Sequence, residues 1–382
     1  MLLEGLKVVE MSTWVAGPGC AAIMADWGAD VIKIESATGD PTRGFFPDTP
    51  ESPGNPVFTM ENRGKRSVVL NTASADGRQQ LLALLESADV FITNLRPGAL
   101  VRAGLDYAAV QPRAPRLIYA SITGCGLEGE EADLPAFDIT AFWSKSGVAW
   151  ATIPPDQEPF PCRPGFGDHT TALATLSAVL AAVHERAETG RGRLVETSLL
   201  RTATYAIGWD LSIQLRYGQV QAAQPRDARP SPISGYFRTR DDRWICVVPR
   251  GPGCFPAIMG LIGRPDVLTD PRFAALAGDL DLVREVRAMV DAAFACLTLQ
   301  EAGALLTRAD LIWAPMATLE DVAAAPQSHA AGCFVKVGDG WQGAFASPAA
   351  PARFPEGAPH VGRAAPRLGE HTQEVLREVG LS

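Results

Sequence analysis

Residues 6–35, LKVVEMSTWVAGPGCAAIMADWGADVIKIE, carry the signature from which the architecture follows. Leu6–Met11 and Asp30–Glu35 are short apolar runs of strand character. Between them Trp14–Cys20 reads as a turn, and the Ala-rich stretch after it, stopping near Gly28, predicts a helix. Strand, helix and strand in this order make a unit whose two strands lie parallel. Gly17, Gly19 and Ala22 fit G-x-G-x-x-A, and Glu35 stands where a ribose-binding acid closes the second strand of a dinucleotide fold. Two readings are open. The glycines either bring backbone up to a nucleotide phosphate, or they make a turn that lets helix and strand pack closely. Five residues, Ser12–Ala16, separate the strand from Gly17, whereas a dinucleotide turn follows its strand almost directly. The motif alone is therefore weak.

The same alternation continues outward. Past a Gly- and Pro-rich loop, Ser36–Pro56, Arg66–Leu70 reads as a strand. Ala75–Ala88 reads as an amphipathic helix with Leu81, Leu82, Leu84 and Leu85 as its apolar stripe. Asp89–Asn94 is a strand, Pro97 opens a short helix, and Leu117–Ile122 is a further strand. Such alternation predicts an α/β fold, a Rossmann-like, mostly parallel sheet with helices on both faces. Ligands of such sheets sit at the carboxyl ends of strands, where Trp14–Cys20 and Asn94 both fall. Apolar residues at helical spacing from Leu173 to Val183 predict a helix stopped by Gly190, with Asp168–Thr171 at its entrance. A second long helix is expected from Glu196 to Tyr217. Pro225–Gly235 is a linker by composition. Gly235–Val248 reads as a hairpin turning at Asp241 and Asp242, and short helices lead to about Ala325. A Pro-rich segment from Ala346 ends in a helix, Thr372–Gly380.

Composition narrows the partners. The 382-residue chain is 47% hydrophobic and 20% charged, an ordinary globular balance. Its formal net charge of −9 argues against a nucleic-acid surface, while local basic clusters leave anionic ligands open. No basic start leads into a long apolar run, so no signal peptide is expected, and Ala172–Val183 reads as too short to span a membrane. The 7 cysteines are odd in number and never spaced C-x-x-C, which suits reduced thiols in a cytoplasm. None of the 5 histidines has H-x-x-x-H spacing, so no metal site is expected.

Several segments occur in a telling order: residues 6–35, then GDPTRG, NRGKRSVVLN, ADVFITNLRPGAL, GDHTT, TGRGRLVETSL and PRLGEHTQEVLREVG. The series resembles the class III CoA-transferase family (CaiB/BaiF type), with formyl-CoA transferases, carnitine CoA-transferases and α-methylacyl-CoA racemases among its members. The resemblance spans nearly the whole chain. It implies a large α/β domain built from both chain ends, residues 1–224 and 331–382, with a small α+β domain, 225–330, inserted. It also implies an interlocked homodimer and a glycine turn that faces CoA instead of NAD.

The resemblance further implies a carboxylate nucleophile that forms an acyl anhydride and then an aspartyl-CoA thioester, with CoA as substrate and no other cofactor. Asp168 in GDHTT matches that nucleophile; the alternative is a plain helix cap. An aspartate is ionised near neutral pH unless badly buried, so it needs no adjacent base. Backbone amides of Trp14–Cys20 are candidate oxyanion donors. Val15 stands where the formyl-CoA branch has a glutamine, and the glycine-rich lid of that branch is missing, which counts against formyl or oxalyl transfer. Expected CoA contacts are Val15, Ala16, Arg43, Lys65, Asn94, Leu95, Arg96 and Arg102, the arginines and lysine through phosphate. Phe137, Asp138 and Trp143 are assigned to the acyl pocket; of Phe137, Phe142, Trp143 and Trp150, two are expected to be core. Phe137 occupies the place of the racemase histidine and carries no proton. His169 reads as a capping or surface residue. The substrates implied are acyl-CoA and free carboxylic acids, with neither nucleic acid nor membrane as partner. The alternatives are intramolecular CoA transfer or racemisation on the same fold, and a non-catalytic nucleotide-binding scaffold.

Overall fold

The computed structural model describes residues 1–46, 54–337, 344–355 and 363–381. The middle of the loop Ser36–Pro56, and parts of the Pro-rich segment after Ala346, lie outside them. The chain forms two compact units. One comprises residues 1–152, 159–221 and 329–382; the other comprises 153–158 and 222–328.

The first unit is the α/β body. Its elements run β1 (Lys7–Met11), α1 (Ala16–Asp26), β2 (Asp30–Glu35), α2 (Pro56–Asn62), β3 (Arg66–Val69), α3 (Ala75–Glu86), β4 (Val90–Thr93), α4 (Pro97–Ala103), α5 (Tyr107–Val110) and β5 (Ile118–Thr123). A wide-turned π-helical stretch, Asp138–Lys145, follows. Next come α6 (Val148–Thr152), α7 (Phe166–Thr189), β6 (Leu194–Ser198), α8 (Leu199–Ala206) and α9 (Gly208–Tyr217). All six strands pair in parallel, in the order β3-β2-β1-β4-β5-β6. The strands are buried on both faces, as a sheet covered by crossover helices requires. Val8, Val31, Val90 and Ile118 face α1 and α7. Val9, Ile32, Phe91 and Tyr119 face α3, α4, α5 and the C-terminal helix Thr372–Glu378. That last helix ties the chain end to the edge strand β3, where Thr372 Oγ1 accepts from Val69 N–H at 3.0 Å.

Two expectations are corrected here. Glu196–Tyr217 is not one helix: Leu194–Ser198 is the sixth strand, and the helix that follows breaks between Ala206 and Gly208. The helix at Asp168 is longer than its apolar run, 24 residues and so long enough to cross a bilayer. It serves instead as a core helix, packing Ala172, Leu176, Val179 and Ala182 against α1 and the sheet.

The second unit has a three-stranded antiparallel sheet, β7 (Gly235–Arg238), β8 (Trp244–Val248) and β9 (Ile312–Pro315). The hairpin between β7 and β8 turns with Asp242 at φ 63°. Phe237, Ile245, Phe294 and Leu306 lie in its own core.

Candidate active site

The sheet order reverses direction between β1 and β4, and ligands of open α/β sheets bind beside such a switch point. A cavity of about 500 Å³ opens there. Its walls come from carboxyl ends of strands: Thr13, Trp14 and Ala16 after β1, Asn94, Leu95 and Arg96 after β4, Ile122–Gly124 at β5, and Leu199 after β6. Asp168, Phe137 and Arg102 complete the wall as far as the sequence-expected residues go. Six expected residues, Ala16, Asn94, Leu95, Arg96, Arg102 and Asp168, thus meet in one place, with Phe137 beside them.

The opening motif is neither a nucleotide turn nor a loose one. Helix α1 begins at Ala16, so Gly17 and Gly19 are helical. A Cβ on Gly17 would lie 2.4 Å from Ser12 Oγ, and one on Gly19 would lie 2.8 Å from Glu61 Oε2. Close packing is what requires them. Glu35 has nothing left for a ribose: it accepts from Arg43 Nε at 2.8 Å, Asp40 N–H at 2.9 Å and Ser67 Oγ at 2.7 Å. The bend that enters α1 is made by Trp14, at φ 69°, a left-handed conformation unusual for a large side chain. Asn94 holds that bend with both ends of its amide. Its Oδ1 accepts from Thr13 N–H at 3.0 Å and its Nδ2 donates to Thr13 O at 2.7 Å. The first turn of α1 has no side-chain cap among the described residues, and Ala16, its first residue, lies on the cavity wall.

Asp168 is the third residue of α7, whose N-cap is Gly165, so its carboxylate is not the cap. It makes no hydrogen bond or ion pair among the described residues. Gly167 before it is pressed onto the π-helical stretch: a Cβ there would meet Phe142 Cγ at 2.5 Å and Asp138 Cβ at 2.9 Å. Burial pushes the Asp168 carboxyl up to about 7; the Asp138 and Glu61 charges push the same way and His169 opposes them. A helix N-terminus favours the anion, but here burial and like charge win. The expectation of an ordinarily ionised aspartate is corrected accordingly. Asp138 is buried, with one oxygen lacking any hydrogen-bond partner and the other accepting from Ile139 N–H at 2.8 Å. His169 is neither a cap nor free: its Nε2 lies 2.8 Å from Glu61 Oε1, and that bond raises its pKa.

Other expected residues are elsewhere. Lys65 is fully buried and donates to Glu10 Oε2 at 2.6 Å, Pro18 O at 2.9 Å and Asn62 Oδ1 at 3.1 Å. It neutralises Glu10 together with Lys33, off the cavity wall. Arg43 is paired with Glu35 at 2.6 Å and stacks 4.0 Å over the Phe58 ring, off the cavity wall. Neither the half-buried Val15 nor the buried Asp138 lines the cavity. Trp143 is core, its Nε1 donating to Phe160 O at 2.8 Å. Phe142 is core as well, whereas Phe137 and Trp150 are exposed. By contrast, Arg96 and Arg102 are exposed and have no ion pair among the described residues. Sequence reading missed Thr13, and it placed Trp14 at the ligand edge for its backbone amide only, not for its ring. It also missed Glu61, which nothing in its local sequence distinguishes from a surface acid.

A family model described as CoA-transferase family III matches residues 3–372. The chain is 35% identical, over 100% of its length and 96% of the relative's, to an (R)-2-hydroxy-4-methylpentanoate CoA-transferase of Clostridioides difficile. It is 32% identical to a cinnamoyl-CoA:phenyllactate CoA-transferase of Clostridium sporogenes, over 99% of this chain and 93% of that one. A solved structure of a CAIB/BAIF family protein from Brucella suis superposes with a TM-score of 0.86 at 29% identity, covering 99% of both chains.

Proposed function

The chain belongs to CoA-transferase family III, and from that premise we propose that it moves CoA from an acyl-CoA donor to a free carboxylic acid, with Asp168 as the covalent nucleophile. The observation that carries the assignment is an unpartnered aspartate carboxylate and two unpaired arginines, Arg96 and Arg102, on the wall of one cavity. The arginines suit the phosphates of CoA.

The Asp168 carboxylate attacks the donor thioester carbonyl. The C–S bond breaks, its electron pair leaves as CoA thiolate, and a mixed anhydride remains. The thiolate attacks the aspartyl carbonyl and expels the donor acid as carboxylate, leaving an aspartyl-CoA thioester. The acceptor carboxylate then displaces the thiolate to form a second anhydride. Attack of the thiolate on the acceptor carbonyl releases the new acyl-CoA and restores Asp168. Each addition places charge on a carbonyl oxygen, and the uncapped first turn of α1 supplies amides for it. Racemisation is disfavoured because Phe137 carries no proton and His169 is engaged by Glu61.

Asp168→Ala and Asp168→Asn should each abolish transfer while CoA still binds. Hydroxylamine added during turnover should convert the residue-168 carboxylate to a hydroxamate, visible by peptide mass. Full activity in either variant, or a hydroxamate only on Asp138, sinks the assignment. The reading includes a homodimer, which the outward apolar side chains of α8 and α9 support: Tyr205, Trp209, Leu215 and Tyr217 are 89%, 84%, 79% and 72% exposed.

A further inference from the structure

Resting on the transfer reading above, we propose that Trp14 and Phe137 form the acyl subsite, and that the acids handled bear an arylalkyl substituent. Both rings lie on the wall of the cavity that Asp168 lines. Their centroids are 5.4 Å apart and their planes meet at 86°, and Phe45 continues the row 5.8 Å beyond Trp14. Phe137 immediately precedes Asp138, which packs on Gly167, the neighbour of Asp168. The row therefore belongs to the nucleophile's end of the cavity, whereas the phosphate-type groups, Arg96 and Arg102, flank and lie on α4.

Two features mark these rings as built for a ligand. Phe137 is 53% exposed and Phe45 51% exposed, so the chain leaves large apolar surface uncovered beside a concave site. Trp14 is also held at φ 69°, fixed through the paired Thr13–Asn94 hydrogen bonds. Backbone strain of this kind persists only where surrounding contacts enforce it, and it concentrates at ligand sites. Charge selects in the same direction. Asp138 and Glu61 raise the proton affinity of Asp168, and the neighbouring His169 is held by Glu61. A second carboxylate on the substrate would meet repulsion from these acids there. An apolar ring would meet ring edges and the side chains of Ile122 and Leu199.

The test compares 3-phenylpropionyl-CoA, acetyl-CoA, succinyl-CoA and CoA itself on the full chain. Calorimetry on the Asp168→Ala background gives affinities, and exchange of each thioester with its own isotope-labelled acid gives kcat/KM. We expect 3-phenylpropionyl-CoA to exceed acetyl-CoA and succinyl-CoA at least tenfold in both measures. Phe137→Ala should collapse that ratio to within threefold of unity, and Phe137→Leu should keep most of it. Equal affinities and exchange rates in the wild-type chain overturn the subsite. So does a Phe137→Ala variant that weakens all CoA compounds alike, which would place CoA's own adenine on the ring. Exchange with no thioester, alongside a preserved affinity ratio, would remove the transfer reading and leave the subsite standing.

Discussion

Asp168 is where most of the chemistry concentrates, and its environment dictates a pH dependence. Groups about it come from its own helix and two other elements: His169 from α7, Asp138 from the π-helical stretch and Glu61 from α2; Cys162 feels both aspartates. With its carboxyl raised to about 7, Asp168 is largely protonated at pH 6 and ionised at pH 8. Single-turnover thiolate release should therefore climb through neutrality and level off above it. Asp138→Asn removes one like charge and should move the midpoint to lower pH; an unmoved midpoint would show that Asp138 plays no part in setting it. Stability runs the other way. Between the ordinary aspartate pKa of 3.8 and about 7, the folded chain keeps a proton that the unfolded chain has released. Stability from this residue is therefore full below that window and is lost as pH rises through it. Asp168→Asn should accordingly melt higher than the parent at pH 8 and at about the same temperature at pH 4, read by calorimetry.

At the scale of elements, the site depends on which helices meet the carboxyl ends of β1, β4 and β5. Helix α4 carries Arg102 on its last turn and is entered at Arg96, neither of them tied to an acid among the described residues. Arg102→Gln and Arg96→Gln should each weaken CoA binding about tenfold, the usual loss for one charge-assisted contact. Lys65→Met should behave differently. Its ammonium sits in a sealed network with Glu10 that joins α2's end to β1, and breaking such a pair costs about 3 kcal/mol. The variant should lose stability in urea without a selective loss of CoA affinity. A selective loss would return Lys65 to the phosphate site. The same comparison explains why α1 contains two glycines: Ser12 and Glu61 occupy the space that side chains at Gly17 and Gly19 would need.

For the whole molecule, the open question is assembly. The α9 helix has no buried residue, and its Trp209 and Tyr217, like Tyr205 of α8, are largely exposed. Monomers rarely expose so many large rings on adjoining helices. Light scattering should give the mass of two chains, unchanged on dilution, and the double variant Tyr205→Glu, Trp209→Glu should shift it toward one. A monomer in the parent protein at every concentration would remove the homodimer from the functional reading.

Much of the architecture could be read from residue order, because periodicity and turn residues are local. Leu6–Met11, Asp30–Glu35, Asp89–Asn94 and Leu117–Ile122 announce a parallel sheet, and the position of Asp168 in its segment singles it out through family resemblance. Strand β6 escaped because Leu194–Ser198 offers few apolar residues and runs straight into the helix α8. Glycine's low helix propensity made residues 17 and 19 look like a turn, although α1 passes through both. Lys65 reads as a phosphate contact; only folding brings Glu10, 55 residues away, against it. Trp14, Asn94, Phe137 and Asp168 lie far apart in order and share one cavity because parallel strands deliver their carboxyl ends to the same edge. The raised proton affinity of Asp168 likewise comes from Asp138 and Glu61, neighbours in space that no local pattern could supply. Hydrophobic spacing is a property of adjacent residues, whereas burial, charge pairing and pKa are properties of what packing places around them.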